Sequence, residues 1–275
     1  AFANIEAIVE AKGELLEALP AEGLAIFPAG QSYTERLRQK AGAVRVLTFG
    51  KEGAADIFST EQPESAEPSH HTFTIHWQAE RDGVKTRLAH HGEHLRQNAL
   101  AVAAAARTVG VTPAEIAQGL DLFAPPVGRG GIRRSTQGWR VVDDSYNANP
   151  GSVKAALHAL PTPTATGRRV AVLGDMLELG REAEWLHRDL LHTLVESGVA
   201  LLFTAGPLMH ALHQAVAEQA GQTTGGHIQS WHRPDPAQWL GHITPHLRPE
   251  DVVLVKGSRG MKMERIVENL VTNAL

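Results

Sequence analysis

The chain has 275 residues, with 26 Lys+Arg against 30 Asp+Glu, 15 His, no Cys, 43% apolar residues and 20% charged residues. At roughly 100–200 residues per domain this length suits two domains with real cores, and the ordinary apolar and charged fractions exclude a disordered or fibrous chain. Zero cysteine excludes disulfides, thiolate nucleophiles and iron–sulfur clusters and fits a reducing compartment, while a net charge of −4 gives no general pull towards nucleic acid or anionic membrane.

The chain opens AFANIEAIVEAKGE, without an initiator Met and already in a helical pattern, so we expect upstream sequence to be missing. Ile5, Ile8, Val9, Leu15 and Leu16 share one helical face, and Lys12 falls on that face too. Short strands follow at 23–27, 44–49, 55–60, 71–77 and 84–90, with 61–71 a loop by composition. An alanine-rich helix spans 94–109, and Thr112 N-caps another with Pro113 at N1 and Glu115 at N3. Residues 1–124 therefore read as mixed α/β with a meandering sheet.

The stretch APPVGRGGIRRS (124–135) suits a hinge, and we set the domain boundary near 132. Beyond it strands alternate with helices: WRVVDDS, helix 151–160, RRVAVLGD, helix 183–197, VALLFTAG, helix 207–219, HIQSW, helix 235–243, DVVLVKGS and helix 261–272. This order predicts a parallel, Rossmann-like sheet of about five strands with right-handed crossovers. No run approaches the roughly 18 apolar residues of a membrane-spanning helix.

Ligands in such sheets sit beyond the carboxyl ends of the strands, which directs attention to DDSYNANP (143–150), GDMLELG (174–180) and KGSRG (256–260). Asn149 and Pro150 read as N-cap and N1 of a helix; capping does not require Asp143, Asp144, Ser145 and Tyr146 as well. The GDMLELG loop, with acids Asp175 and Glu178, reads equally as structural or functional. Lys256 and Arg259 around Gly257 and Ser258 suit a carboxylate or phosphate, or form a solvated basic loop. Lys12, on an apolar face, must snorkel, find a carboxylate or lose its charge; a neutral amine can react with carbon dioxide to give a carbamate. His90, His91 and His94 lack the spacing of a metal site, and His70, His71, His210 and His213 read as surface residues. Neither a GxGxxG fingerprint nor a GxxxxGK[ST] phosphate loop occurs in these residues.

Taken in order, IEAIVEAKGEL, GLAIFPAG, GEHLRQNALAVAAA, VGRGG, DDSYNANPGS, VLGDMLELG and LVKGSRGMKME resemble the Mur ligases of peptidoglycan synthesis, and among them the MurF type, over nearly the whole chain. The family has three domains: one holding a UDP-sugar, a central ATPase domain and a Rossmann-like C-terminal domain. The resemblance implies that residues 1–132 are the latter part of the central domain and 133–275 the C-terminal domain. It also implies that the UDP-binding domain, the phosphate loop, an acidic magnesium ligand and a His usually found just upstream lie outside these residues.

The implied chemistry is ATP-driven, Mg²⁺-dependent amide formation between UDP-N-acetylmuramoyl-tripeptide and D-alanyl-D-alanine through an acyl phosphate, in the cytoplasm, with no nucleic acid and no membrane insertion. By the resemblance Lys12 matches a carbamylated lysine that helps hold Mg²⁺, His94 and Asn98 lie against adenine, and Arg129 and Asp144 reach ATP. Tyr146, Asn147, Lys256 and Arg259 are candidates for the peptide and dipeptide side. Leu95 stands where the family usually has Asn, and Pro28 and Gly30 where Asn and Asp are common. The reading predicts a fragment inactive on its own. A non-catalytic substrate-binding module derived from a Mur ligase is the alternative, and part of a larger fusion of Mur enzymes is a third possibility.

Overall fold

The computed structural model describes residues 5–61, 71–80, 82–88, 93–124, 126–164, 166–220 and 227–272. His70, His90 and His91 lie outside them, as does the side chain of His94. Contacts divide the chain into two compact units, 2–124 and 125–275.

In the first unit, β1 (Leu24–Pro28), β2 (Arg45–Gly50), β3 (Ile57–Glu61), β4 (His71–Trp77) and β5 (Val84–Leu88) form one sheet in chain order. The pairs β1–β2 and β2–β3 are parallel; β3–β4 and β4–β5 are antiparallel. Each expected strand is present. Helices cover both faces because β1 alternates: Ala25 and Phe27 pack with Val9, Leu37 and Ala41 of α1 (Ile5–Glu17) and α2 (Thr34–Ala41), while Ile26 turns to the cluster of α3 (Glu93–Thr108) and α4 (Pro113–Asp121). In α3 the buried residues are Ala99, Leu100, Ala103 and Ala104, whose small side chains let the helix lie close to the sheet. Leu95 packs against this core, which gives the hydrophobic residue at that position a packing role. The capping box at Thr112 and Glu115 forms as expected.

Two features of this unit depart from expectation. Helix α2 has no counterpart in the sequence reading: it buries only Leu37 and Ala41, and ion pairs tie it to α1. Lys40 crosses Gly13, where a Cβ would lie 2.0 Å from its Cδ, to reach Glu10 at 2.9 Å and Glu17 at 2.7 Å; Arg36 pairs with Glu10 as well. The second departure is Lys12. The buried side of α1 is that of Val9 and Gly13, whereas Lys12 is exposed between Ile8 (39% exposed) and Leu15 (71% exposed). The apolar stripe read from the sequence thus splits into a packed half and an open half, and Lys12 lies on the open half.

The second unit carries a six-stranded sheet of β6 (Gly131–Arg134), β7 (Arg140–Asp144), β8 (Arg169–Gly174), β9 (Val199–Ala205), β10 (Gln229–Arg233) and β11 (Val252–Lys256), in the order β10-β9-β8-β11-β7-β6. Five strands are parallel, as expected; the sixth, β6, pairs antiparallel with β7, so the GIRR segment assigned to the hinge straddles position 132 as an edge strand. Residues on alternate sides of each strand feed two cores. Val252 and Leu254 join α5 (Pro150–His158), α7 (Leu190–Glu196) and α8 (His210–Ala220). Val253 and Val255 face Trp239, Ile243 and α9 (Glu264–Thr272).

The expected helix 183–197 is two helices, α6 (Ala183–Arg188) and α7, broken at Asp189, which pairs with Lys154 at 2.6 Å. The expected helix 235–243 is instead a pair of 3₁₀ turns, Pro236–Trp239 and Thr244–His246. Pro236 and Pro245 can open helical turns but donate no hydrogen bond inside one, and Gly241 has φ +73° between them. Among the described residues no helix is long and apolar enough to cross a membrane.

Candidate functional site

The carboxyl ends of β7, β11 and β8 lie side by side in the sheet. Chain order would place β8 beside β7, yet β11 is inserted between them. The chain leaves β7 towards α5 in one core and β11 towards α9 in the other, which makes this a switch point of the kind where open α/β sheets bind ligands. The loops that carry DDSYNANP, GDMLELG and KGSRG all begin here.

Register sets the first contact. Lys256 lies directly beside Asp144 across the β11–β7 pair, and its Nζ donates to Asp144 Oδ2 at 2.6 Å and to the Asn147 carbonyl at 2.8 Å. The Lys256 side chain is 3% exposed and that of Asp144 23%. A lysine this buried needs such partners, and its ammonium holds Asp144 and the 145–149 turn in place. Lys256 is therefore built into the floor of the site, where the sequence reading had placed it on the substrate side.

Asp143, on the opposite side of β7, is buried and acts on the 126–130 loop. Its carboxylate accepts from Gly128 N–H at 3.1 Å and from the Ser145 hydroxyl at 2.6 Å, and Tyr146 N–H donates to Gly128 O at 3.0 Å. Gly128 has φ +81°, and a Cβ there would meet Tyr146 Cβ at 3.2 Å; both features favour glycine. This stitching sets the Arg129 guanidinium over the Tyr146 ring at 4.2 Å, and Arg259 approaches the same ring at 5.4 Å. Tyr146 is 41% exposed and both arginines are exposed, with Arg259 also 3.8 Å from Glu264, so two guanidiniums stand at the surface against one aromatic ring.

Ser258, which the sequence reading named only as a neighbour of Lys256 and Arg259, joins the three loops. Its hydroxyl accepts from Leu177 N–H at 2.8 Å and reaches Ala148 O at 3.3 Å, and its N–H donates to Asp175 O at 3.0 Å. The motif spelled this residue out, but a serine beside Lys and Arg gives no sign of three separate partners. Asp175 proves structural: its carboxylate accepts from Met209 N–H at 2.8 Å and Leu208 N–H at 3.2 Å, at the start of α8. Burial pushes its pKa up and these two N–H groups pull it back. His187, fully buried, accepts from Met176 N–H at 2.9 Å and places Nδ1 2.6 Å from the Ala183 carbonyl, which fixes the Nδ1–H tautomer. Glu178 is exposed with φ +64°.

Six of the nine candidate residues, Arg129, Asp144, Tyr146, Asn147, Lys256 and Arg259, thus gather in one place. Asn98 is exposed on α3, and His94 begins the same helix; with Lys12 they belong to the first unit. Among the described residues no three His, Asp or Glu side chains are grouped to hold a metal ion.

Family models match both units. The Mur ligase middle domain matches residues 1–106, and the Mur ligase, glutamate ligase domain matches residues 128–259. The chain belongs to the Mur ligase family. Among its curated relatives, UDP-N-acetylmuramoyl-tripeptide–D-alanyl-D-alanine ligase of Mycobacterium tuberculosis (strain CDC 1551 / Oshkosh) is 33% identical over 99% of this chain and 55% of its own length. A crystal structure of MurF from Acinetobacter baumannii superposes with TM-score 0.81 at 30% identity, covering 98% of this chain and 56% of that one. MurF ligase of Thermotoga maritima, solved in complex with ADP, shares the fold at TM-score 0.76 and 23% identity, over 97% of this chain and 57% of its own. This Mur ligase chain spans about half the length of the curated relatives it matches.

Proposed function

We propose that this chain supplies the C-terminal half of an ATP-dependent ligase that joins D-alanyl-D-alanine to UDP-N-acetylmuramoyl-tripeptide in the cytoplasm. The observation that carries this reading is the convergence of Arg129, Tyr146 and Arg259 above the Lys256–Asp144 pair at the switch point, in a chain whose relatives bear that enzyme's name.

In this reading ATP, when bound, supplies the phosphoryl group that converts the tripeptide carboxylate into an acyl phosphate open to attack by the dipeptide amine. The residues here orient and neutralise. Arg129 and Arg259 offer planar pairs of N–H donors to phosphate or carboxylate oxygens, and Tyr146 limits the freedom of both guanidiniums. Lys256 fixes the Asp144 carboxylate at the end of β7. Asn147, exposed, is the candidate for the dipeptide side, and His94 and Asn98 for adenine. Lys12 takes the carbamate role from the family resemblance; its exposure leaves the amine open to carbon dioxide. Among the described residues no group of three acids or histidines would bind Mg²⁺ by itself.

A second reading is a substrate-binding module without turnover. Phosphate release measured with UDP-N-acetylmuramoyl-tripeptide, D-alanyl-D-alanine, ATP and Mg²⁺ decides the first point: the isolated chain is expected to be inactive, and clear turnover overturns that expectation. Calorimetry with D-alanyl-D-alanine tests the site itself. We expect binding that weakens about tenfold or more in Arg259→Ala, the usual scale for losing a charge-assisted contact; equal affinity would remove Arg259 from the site.

A further inference from the structure

A concavity lies at the outer edge of the six-stranded sheet, around β10. Its volume is about 430 Å³, within the usual range for small-molecule sites. Arg233 and four histidines, His213, His232, His242 and His246, line it together with Ser230 and two tryptophans, and no carboxylate among the described residues does. Five basic side chains without an acid are unusual in a chain where Asp and Glu outnumber Lys and Arg by 30 to 26.

The walls are already built. Trp231 stacks on Phe203, with ring centroids 4.9 Å apart, and meets His246 at 4.5 Å. Trp239 donates its indole N–H to the Thr204 carbonyl at 2.9 Å. Arg233 lies over the Trp239 ring at 4.8 Å and is held by the Gln238 carbonyl at 2.7 Å. The aromatic rings are thus engaged with one another, leaving the imidazoles and the guanidinium as the groups able to recognise a ligand.

We propose that this cavity binds a small tetrahedral oxyanion, the phosphate group of a phosphorylated metabolite or free inorganic phosphate.

Hydrogen bonding specifies how His232 takes part. The Thr204 hydroxyl gives its single proton to the Trp231 carbonyl at 3.1 Å and sits 3.0 Å from His232 Nδ1. With the hydroxyl proton on that carbonyl, Nδ1 carries the hydrogen and the neutral ring has a lone pair at Nε2. In that tautomer His232 gains an Nε2–H donor for an anion on protonation. His213 is anchored similarly through Nδ1, 2.9 Å from the Ser230 hydroxyl.

Other ionisable groups around these rings are His210 on α8, whose ring centroid is 4.8 Å from His232 and 6.1 Å from His213, then Arg233, His242 and His246. Glu218, further along α8, pairs with Arg188, and Asp235 caps the Ala237 N–H. Burial first, and the neighbouring imidazoles second, hold His213 and His232 below the ordinary histidine range. An anion reverses that balance by stabilising imidazolium, so its affinity must rise as pH falls. A metal ion is the other ligand of histidine clusters; among the described residues no three such side chains are grouped for one.

This inference does not depend on the ligase reading, and its test needs no turnover. Sulfate is the probe, because its charge is constant between about pH 6 and pH 8. Histidine ring signals of the 275-residue chain, followed by NMR during sulfate titration at fixed ionic strength, should show His213 and His232 shifting together. We expect affinity about tenfold or more higher at pH 6 than at pH 8 through uptake of a proton, and a loss of about tenfold in Arg233→Gln and in His232→Gln. Inorganic phosphate compared with glycerol phosphate at one pH then distinguishes the free ion from an ester. Shifts reproduced by chloride, affinity independent of pH, or unaltered binding in Arg233→Gln would overturn the proposal. So would Zn²⁺ moving the same signals where sulfate does not.

Discussion

Lys256 and Lys12 show what a residue's surroundings add to its type. Both are lysines near apolar sequence, yet Lys256 is 3% exposed and paired while Lys12 is open to solvent. Periodicity cannot choose between two adjacent helical faces when apolar residues occupy both, as Ile8, Val9, Leu15 and Leu16 do. Asp175 is the residue whose ionisation the fold constrains most visibly. Burial raises its pKa from the ordinary 3.8, so the folded chain binds that proton more tightly than the unfolded chain. Its contribution is present below the unfolded value and is lost as pH rises through the folded one. Asp175→Asn keeps an acceptor for one N–H without the charge. The melting-temperature advantage of the wild type over Asp175→Asn should therefore shrink from about pH 4 to about pH 7; a difference constant across that range would contradict the assignment.

At the scale of elements, the three loops of the site depend on two glycines at strand ends. A Cβ at Gly174 would lie 2.7 Å from Met263 Sδ, and one at Gly257 would lie 2.7 Å from Met263 Cγ and 3.1 Å from Gly174 Cα. Met263 is fully buried, which leaves it little room to yield. Gly174→Ala should cost about 1–3 kcal/mol of stability by overpacking, read as a lower urea midpoint at unchanged slope; a shift within error would mean that Met263 moves aside. The strands and capped helices were legible beforehand because each has a local cause: alternation in β7 and β11, and the caps at Thr112 and Asn149. Helix α2 was not, since its support is ionic and comes from α1, 23 residues away in the Lys40–Glu17 pair. The turns at 236–246 were misread as a helix because their apolar residues, Trp239 and Ile243, have helical spacing while Pro236, Gly241 and Pro245 break the ladder.

For the molecule as a whole, each unit has its own cores, and neither borrows strands from the other. Chemical unfolding should accordingly give two transitions when followed by separate probes, Trp77 in the first unit and Trp139 or Trp239 in the second. A single coincident transition would show that the units unfold as one. The candidate cluster in 125–275 was legible from motif positions alone, since strand ends in a parallel sheet point to the same edge. Its internal division of labour, with Lys256 and Asp143 holding what Arg129 and Arg259 present, came only with register and distance.

The position of β11 has a consequence for how this site comes into being. The strand made last in the second unit is the one that joins β7 to β8, so a ribosome must deliver residues 252–256 before the two parts of the sheet can close. Until then Asp144 lacks its lysine and Arg129 its opposing arginine. A partly made chain can bury hydrophobic surface early, but it cannot assemble this cluster, so the cluster completes only after the rest of its sheet has been synthesised.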